Sequence, residues 1–92
     1  MYSKEYLREV HHKSFGNKEI IDKSNTCGCF FCERVFDAIE VTDENYMTEV
    51  SGVKTAVCPY CGIDSVLGDG DGTEITEGIL KDMYEAYFNT FV

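Results

Sequence analysis

Cys58-Pro59-Tyr60-Cys61-Gly62, together with its earlier counterpart Cys29-Phe30-Phe31-Cys32-Glu33, is the part of the sequence that decides the fold. In each stretch two intervening residues let the chain turn tightly enough for both thiolates to face one point. Two such knuckles supply four sulfurs to a tetrahedral ion, at about 2.3 Å per zinc–sulfur bond. In the second knuckle Pro59 fixes one turn dihedral, and Gly62 permits a backbone conformation that other residues resist, leaving amide N–H groups free to point at sulfur. The spacing therefore assigns Cys29, Cys32, Cys58 and Cys61 to one structural zinc ion, with 25 residues between the knuckles. Small apolar thiols also fill cores, but core packing does not demand paired turn-forming spacings.

Cys27 is the surplus sulfur. The first knuckle can be built from Cys27 and Cys32 or from Cys29 and Cys32; turn geometry favours Cys29. Cys27 is then a packed thiol, or a group whose chemistry the zinc site perturbs.

Two redox families share parts of this pattern. Cys58-Pro59-Tyr60-Cys61 has the letters of the glutaredoxin dithiol, but that fold places its dithiol near the start of the chain and needs a later cis-proline. Here the motif lies two thirds along, and Pro59 is the only proline. A rubredoxin comes closer, with two C-x-x-C knuckles, a C-P-x-C-G second turn and an acidic, aromatic-rich chain. Against it, Glu33 stands where the first knuckle has glycine, there is no Trp, and both helical ends are extra. Iron electron transfer stays as an alternative, because sulfur-only tetrahedral sites accept either metal.

Outward from the knuckles, the elements are short. Ser3 is placed to cap a helix over 4–12, with Tyr6, Leu7 and Val10 on one face. Gly16-Asn17 interrupts, and Asn17 is read as the cap of a second helical piece from Lys18 to Lys23 that buries Ile20 and Ile21. Isolated helices shorter than roughly 12–15 residues are marginal in water, so both must dock. Val35 to Val41 fits either a strand or a helical turn. Tyr46–Val50 and Val53–Val57 read as a hairpin turning at Ser51-Gly52 and feeding Cys58. After Ile63–Leu67 comes a mobile-looking Gly68–Gly72 loop, then a helix capped by Thr76, whose stripe is Ile79, Leu80, Met83, Tyr84, Tyr87, Phe88 and Phe91. The fold class is α+β: a zinc-ribbon-like hairpin core with N-terminal short helices and a C-terminal amphipathic helix, in one domain over 1–92.

The chain has 92 residues and 43% hydrophobic residues, enough for a modest core but near the size where burial leaves little margin over chain entropy. A structural zinc offsets that, since it contributes on the order of 10 kcal/mol of apparent binding energy at neutral pH. There is no run of 18 apolar residues and no signal-peptide pattern at Met1–Tyr6, so a cytoplasmic location without membrane association is the default expectation. In a reducing compartment cysteines serve as metal ligands or catalytic groups more often than as disulfides, and the odd count of five agrees.

The net charge of −9 is uneven: residues 1–23 carry +1, residues 33–50 carry −5 and residues 64–85 carry −6. Such a surface repels phosphate backbones, and a balance of +1 over 1–23 does not compensate, so direct nucleic-acid binding is disfavoured. His11-His12 read as surface residues near the negative end of a helix. The Asp69–Glu74 loop resembles a calcium loop, but its twelfth position is Leu80, which makes it a solvated turn. Asp64-Ser65 has no identifiable His or Lys partner and is assigned no chemistry.

The stretches C-G-C-F-F-C (27–32), K-T-A-V-C-P-Y-C-G-I-D-S-V-L-G (54–68) and I-T-E-G-I-L-K-D-M-Y-E-A-Y-F (75–88) resemble a group of small uncharacterised bacterial and phage cytoplasmic proteins. An H-x-x-S-x-x-N element, here His11 to Asn17, is shared as well. The resemblance covers most of the chain and implies a zinc-ribbon-like fold without an assigned activity. With no catalytic constellation and an acidic, aromatic-containing surface, the expectation is a non-catalytic, zinc-stabilised domain that binds another protein. An alternative from the charge runs is an acidic nucleic-acid mimic that inhibits a defence or DNA-handling protein. The identity of the partner and the oligomeric state stay open.

Overall fold

The computed structural model describes residues 2–89. Helix α1 (Lys4–His12) starts where the Ser3 hydroxyl accepts the Tyr6 N–H at 3.1 Å, and it buries Leu7 and Val10. Gly16, at φ 57°, turns the chain into α2 (Lys18–Asp22), which buries Ile21. Next come β1 (Thr26–Cys29), β2 (Val35–Asp37), β3 (Tyr46–Thr48), β4 (Lys54–Ala56) and β5 (Val66–Gly68), and the chain closes with α3 (Glu77–Tyr87). The Thr76 hydroxyl caps α3, accepting from Ile79 N–H at 3.3 Å. Phe91, expected on the stripe of this helix, lies outside the described residues.

The strands form two antiparallel sheets, one in the order β2-β1-β5 and one pairing β3 with β4. The register Cys27↔Gly68, Gly28↔Leu67, Cys29↔Val66 sends alternate side chains to opposite faces. Phe30 and Leu67 join Leu7, Val10, Ile79, Leu80 and Met83 under the two longer helices. Cys27, Cys29 and Val66 face the other way, onto Ile21, Phe36, Ala56 and Cys58. Gly28 lies beneath α3: a Cβ there would come within 2.8 Å of Leu80 Cδ1 and 2.9 Å of Ile75 Cγ2, so the helix packs onto the strand where a side chain is missing. The architecture is α+β, with short helices, small antiparallel hairpins, a C-terminal helix and four cysteines clustered as in a zinc ribbon.

The structure resolves one ambiguity of the sequence and departs from expectation at the hairpin turn, at Asn17 and in the loop after Leu67. The ambiguous 35–41 stretch is both things in turn: strand β2, then a 3-10 turn over Ala38–Glu40 in which the Glu40 carboxylate accepts Asp37 N–H at 3.1 Å. The hairpin turns on Val50-Ser51 rather than on Ser51-Gly52. Gly52 N–H closes the turn onto Glu49 C=O at 2.9 Å, and its φ of 96° gives the left-handed residue that returns the chain to β4.

Asn17 precedes α2 but its side chain makes no cap bond. It is buried between the sheets, donating from Nδ2 to Val66 C=O at 2.8 Å and accepting Ala56 N–H on Oδ1 at 3.0 Å. A buried strand-edge carbonyl and N–H need partners more than the first turn of an exposed helix does.

The loop after Leu67 is stitched down rather than loose. Asp69 Oδ1 accepts Asn25 N–H at 2.8 Å and Thr26 N–H at 3.2 Å, while Asp71 accepts the Thr73 hydroxyl and pairs with Lys13 at 3.1 Å. Gly70 passes so close to α2 that a Cβ would stand 2.3 Å from Ile20 O. Among the described residues no helix is long and apolar enough to cross a membrane.

Candidate metal centre

Both knuckles are built from the same backbone moves. In the first, Cys29 N–H donates to Arg34 C=O at 3.0 Å and Phe31 N–H points at Cys29 Sγ at 3.4 Å. In the second, Cys58 N–H donates to Ile63 C=O at 2.9 Å, and the N–H groups of Tyr60 and Cys61 point at Cys58 Sγ at 3.3 and 3.4 Å. The residue after each second cysteine takes the left-handed conformation: Gly62 at φ 81° and Glu33 at φ 61°. Glu33, which separates this sequence from the rubredoxin pattern, thus does the backbone work of the glycine it replaces. It is the one non-glycine with positive φ among the described residues.

These turns bring Cys29, Cys32, Cys58 and Cys61 together, with all four sulfurs within 4.8 Å of one another. Cys29 Sγ lies 3.6 Å from Cys61 Sγ, and Cys32 Sγ lies 3.8 Å from Cys58 Sγ. A tetrahedral ion with metal–sulfur bonds of about 2.3 Å sets its ligands roughly 3.8 Å apart, so the donor set fits one metal ion. The chain supplies all four positions. Cys29 and Cys58 are buried, and Cys32 and Cys61 lie nearer the surface. Cys27 is not a member of the group: it is fully buried in β1 against Ile21 and Phe36, and burial, aided by the charge of Asp69, pushes its thiol up to about 12.

The four thiols differ electrostatically. Burial raises Cys29 well above the ordinary thiol value, although hydrogen bonds from Ser65 and from the N–H groups of Cys32 and Phe31 oppose it. Burial also works against ionisation of Cys58, but the N–H groups of Tyr60 and Cys61, together with the neighbouring Cys61 and Cys32 thiols, outweigh it and hold that thiol below its ordinary value. Cys61 is raised, again mainly by burial. Metal ligation requires all four as thiolates, so uptake releases protons and acid opposes it.

Two features beside the cluster carry no obvious mark in the sequence. Ser65, assigned no chemistry there, is 2% exposed and places its hydroxyl 3.1 Å from Cys29 Sγ. The available signal is positional: a small hydroxyl residue enters the sheet directly after a C-x-x-C-G turn. Tyr60 lies within the second knuckle with Arg34 4.3 Å above its ring and its hydroxyl bonded to Glu40, which ties one knuckle to the chain leaving the other.

The H-x-x-S-x-x-N element divides its residues among three tasks. His11 is half-buried, its ring stacked on Tyr87 with centroids 4.0 Å apart, whereas His12 is exposed as expected for both. Burial, then the neighbouring His12, lowers the His11 pKa, and Asp64 opposes them. The Ser14 hydroxyl donates to His11 C=O at 2.7 Å and ties off α1, and Asn17 joins the sheets. Comparison with protein-family models, with curated proteins and with solved structures returned no match.

Proposed function

We propose that the chain is a non-catalytic, zinc-stabilised domain that binds another protein in the cytoplasm. The observation that carries this reading is the closure of the cluster: four sulfurs of the chain itself fill the positions of a tetrahedral ion, leaving none for water or substrate. Structural zinc sites are closed in this way, while catalytic ones keep a position open. A protein partner is supported by the surface, where Phe15, Ile39 and Val50 are 58%, 86% and 109% exposed on a chain of net charge −9. A pull-down from cell lysate with and without a chelator tests the proposal: a partner retained only by the metal-loaded protein is expected, and none in either condition counts against it.

Rubredoxin-like iron electron transfer is the second reading. It is favoured by the N–H groups aimed at sulfur in both knuckles and by the left-handed residue closing each. Elemental analysis and visible absorbance separate the two: one zinc and no colour support the first, bound iron with thiolate-to-iron absorption the second.

A further inference from the structure

Behind the cluster, between α1, α3 and the 64–66 segment, lies a cleft of about 380 Å³ whose walls include His11, Phe15, Phe30, Asp64, Tyr87 and Phe88. Its volume falls in the range of ligand pockets, roughly 300–1,000 Å³. The walls are set before anything binds: His11 stacks on Tyr87, and Phe30 packs against Tyr87 and Phe88 with centroids 6.3 and 5.7 Å apart. The serine and threonine hydroxyls in the lining are already engaged within the chain. Ser14 bonds His11 C=O, Thr55 bonds Glu49 at 2.7 Å and Ser65 meets Cys29 Sγ.

What remains for an incoming group is the exposed Asp64 carboxylate, which belongs to neither ion pair among the described residues, and the imidazoles. Asp64 is the one carboxylate among the described lining residues, which include no Lys or Arg. With a divalent ion bound, four thiolates one hydroxyl away would add negative potential. An anion, including the phosphate of a nucleotide, is repelled. A planar cation is matched twice, by aromatic faces and by a carboxylate, and a guanidinium satisfies both better than a compact ammonium.

We propose that this cleft receives an arginine side chain of a basic protein partner, its guanidinium lying against the aromatic walls and pairing with Asp64. The inference rests on the protein-binding reading above and names the chemistry of that partner. The −9 charge of the chain favours a basic surface around the arginine.

The test is an NMR titration of the metal-loaded, ¹⁵N-labelled protein with a blocked Gly-Gly-Arg-Gly-Gly peptide, its citrulline counterpart, free arginine and adenosine. Amide shifts confined to residues around 11–15, 64–66 and 87–88 are expected with the arginine peptide. Citrulline, which keeps the shape but not the charge, should bind roughly fivefold to tenfold more weakly, and Asp64→Asn should weaken the arginine peptide by a similar factor. Phe15→Ala, at an exposed rim position, should weaken it about threefold. Equal affinity for arginine and citrulline peptides, an Asp64→Asn variant that folds and binds as before, tighter binding of adenosine, or no shift at about 10 mM peptide overturns the assignment. Free arginine binding more tightly than the peptide overturns the protein source.

Failure of the two readings is distinguishable in the pull-down. A partner retained equally by wild-type and Asp64→Asn bait overturns the cleft and leaves protein binding standing. No retained partner overturns protein binding and removes the source of the arginine, whatever the peptide does.

Discussion

Replacing Asn17 with Ala tests how the two sheets are held together. Phe30 N–H donates to Ser65 C=O and Asp69 N–H to Thr26 C=O, which fixes the alternation of the β1–β5 ladder and leaves Val66 pointing its polar groups outward. Glu49 N–H to Val53 C=O and Val57 N–H to Asn45 C=O do the same for β3–β4 and leave Ala56 facing outward. The side-chain amide of Asn17 stands between these edges like one peptide unit of a missing strand, bonded to Val66 C=O at 2.8 Å and to Ala56 N–H at 3.0 Å. Asn17 and Val66 are 1% and 0% exposed, and Ala56 is fully buried, so both bonds lie away from bulk water. A buried group left unpaired costs about 1–3 kcal/mol, and two are orphaned together, giving an expected loss of roughly 2–6 kcal/mol. Against a net stability of about 5–15 kcal/mol that is a large fraction. The assay is denaturant unfolding at fixed free metal, with amide exchange at Ala56 as a local reporter. Ser14→Ala, which removes a single bond to His11 C=O, serves as a control near 1 kcal/mol. An Asn17→Ala loss below about 1 kcal/mol, or an Ala56 amide exchanging as slowly as before, would refute the bridging role.

Three further perturbations follow from the structure. Metal removal by a strong chelator, or Cys58→Ser, should abolish the ordered NMR signals of residues 27–37 and 55–66, because a closed site contributes on the order of 10 kcal/mol; a dispersed spectrum without metal would show that the hairpins hold alone. Gly70→Ala should lower stability by more than about 2 kcal/mol, since its Cβ meets backbone at Ile20 O and Lys23 C rather than a movable side chain, and a thermal melt checks it. His11 is held below its ordinary value of 6.5 by burial, so the unfolded chain takes up the proton first. Its effect on stability is absent above the unfolded pKa, grows as pH falls below it and levels off below the folded pKa. The difference in unfolding free energy between wild type and His11→Phe, followed from pH 8 to pH 5, should therefore tilt against wild type toward acid; a flat difference would contradict the assignment.

The cluster was legible because C-x-x-C spacing fixes turn geometry locally: nothing remote must be known to see that Cys29 and Cys32, or Cys58 and Cys61, face one point. The caps at Ser3 and Thr76 and the stripe from Ile79 to Phe88 were legible for the same reason, each being set within a turn or two of helix. Asn17 was misread because a helix start and a strand edge compete for one amide, and only the tertiary arrangement decides between them. The 68–72 loop looked loose because its composition is that of a free turn, yet Gly70 is required by the approach of α2 and Asp69 by two orphan N–H groups. The cleft was invisible in the sequence: His11, Asp64 and Tyr87 are far apart along the chain and meet only when α1 and α3 pack on the same face of the sheet.

The two knuckles share a shape but not a readiness to adopt it. Pro59 and Gly62 bias the second turn toward its final conformation in the unfolded chain, whereas Glu33 reaches the left-handed region against a penalty of roughly 1–2 kcal/mol. The second pair of sulfurs is thus the more preorganised of the two toward a shared ion. Glu33→Gly would remove that penalty and narrow the difference between the turns, with Pro59 still favouring the second.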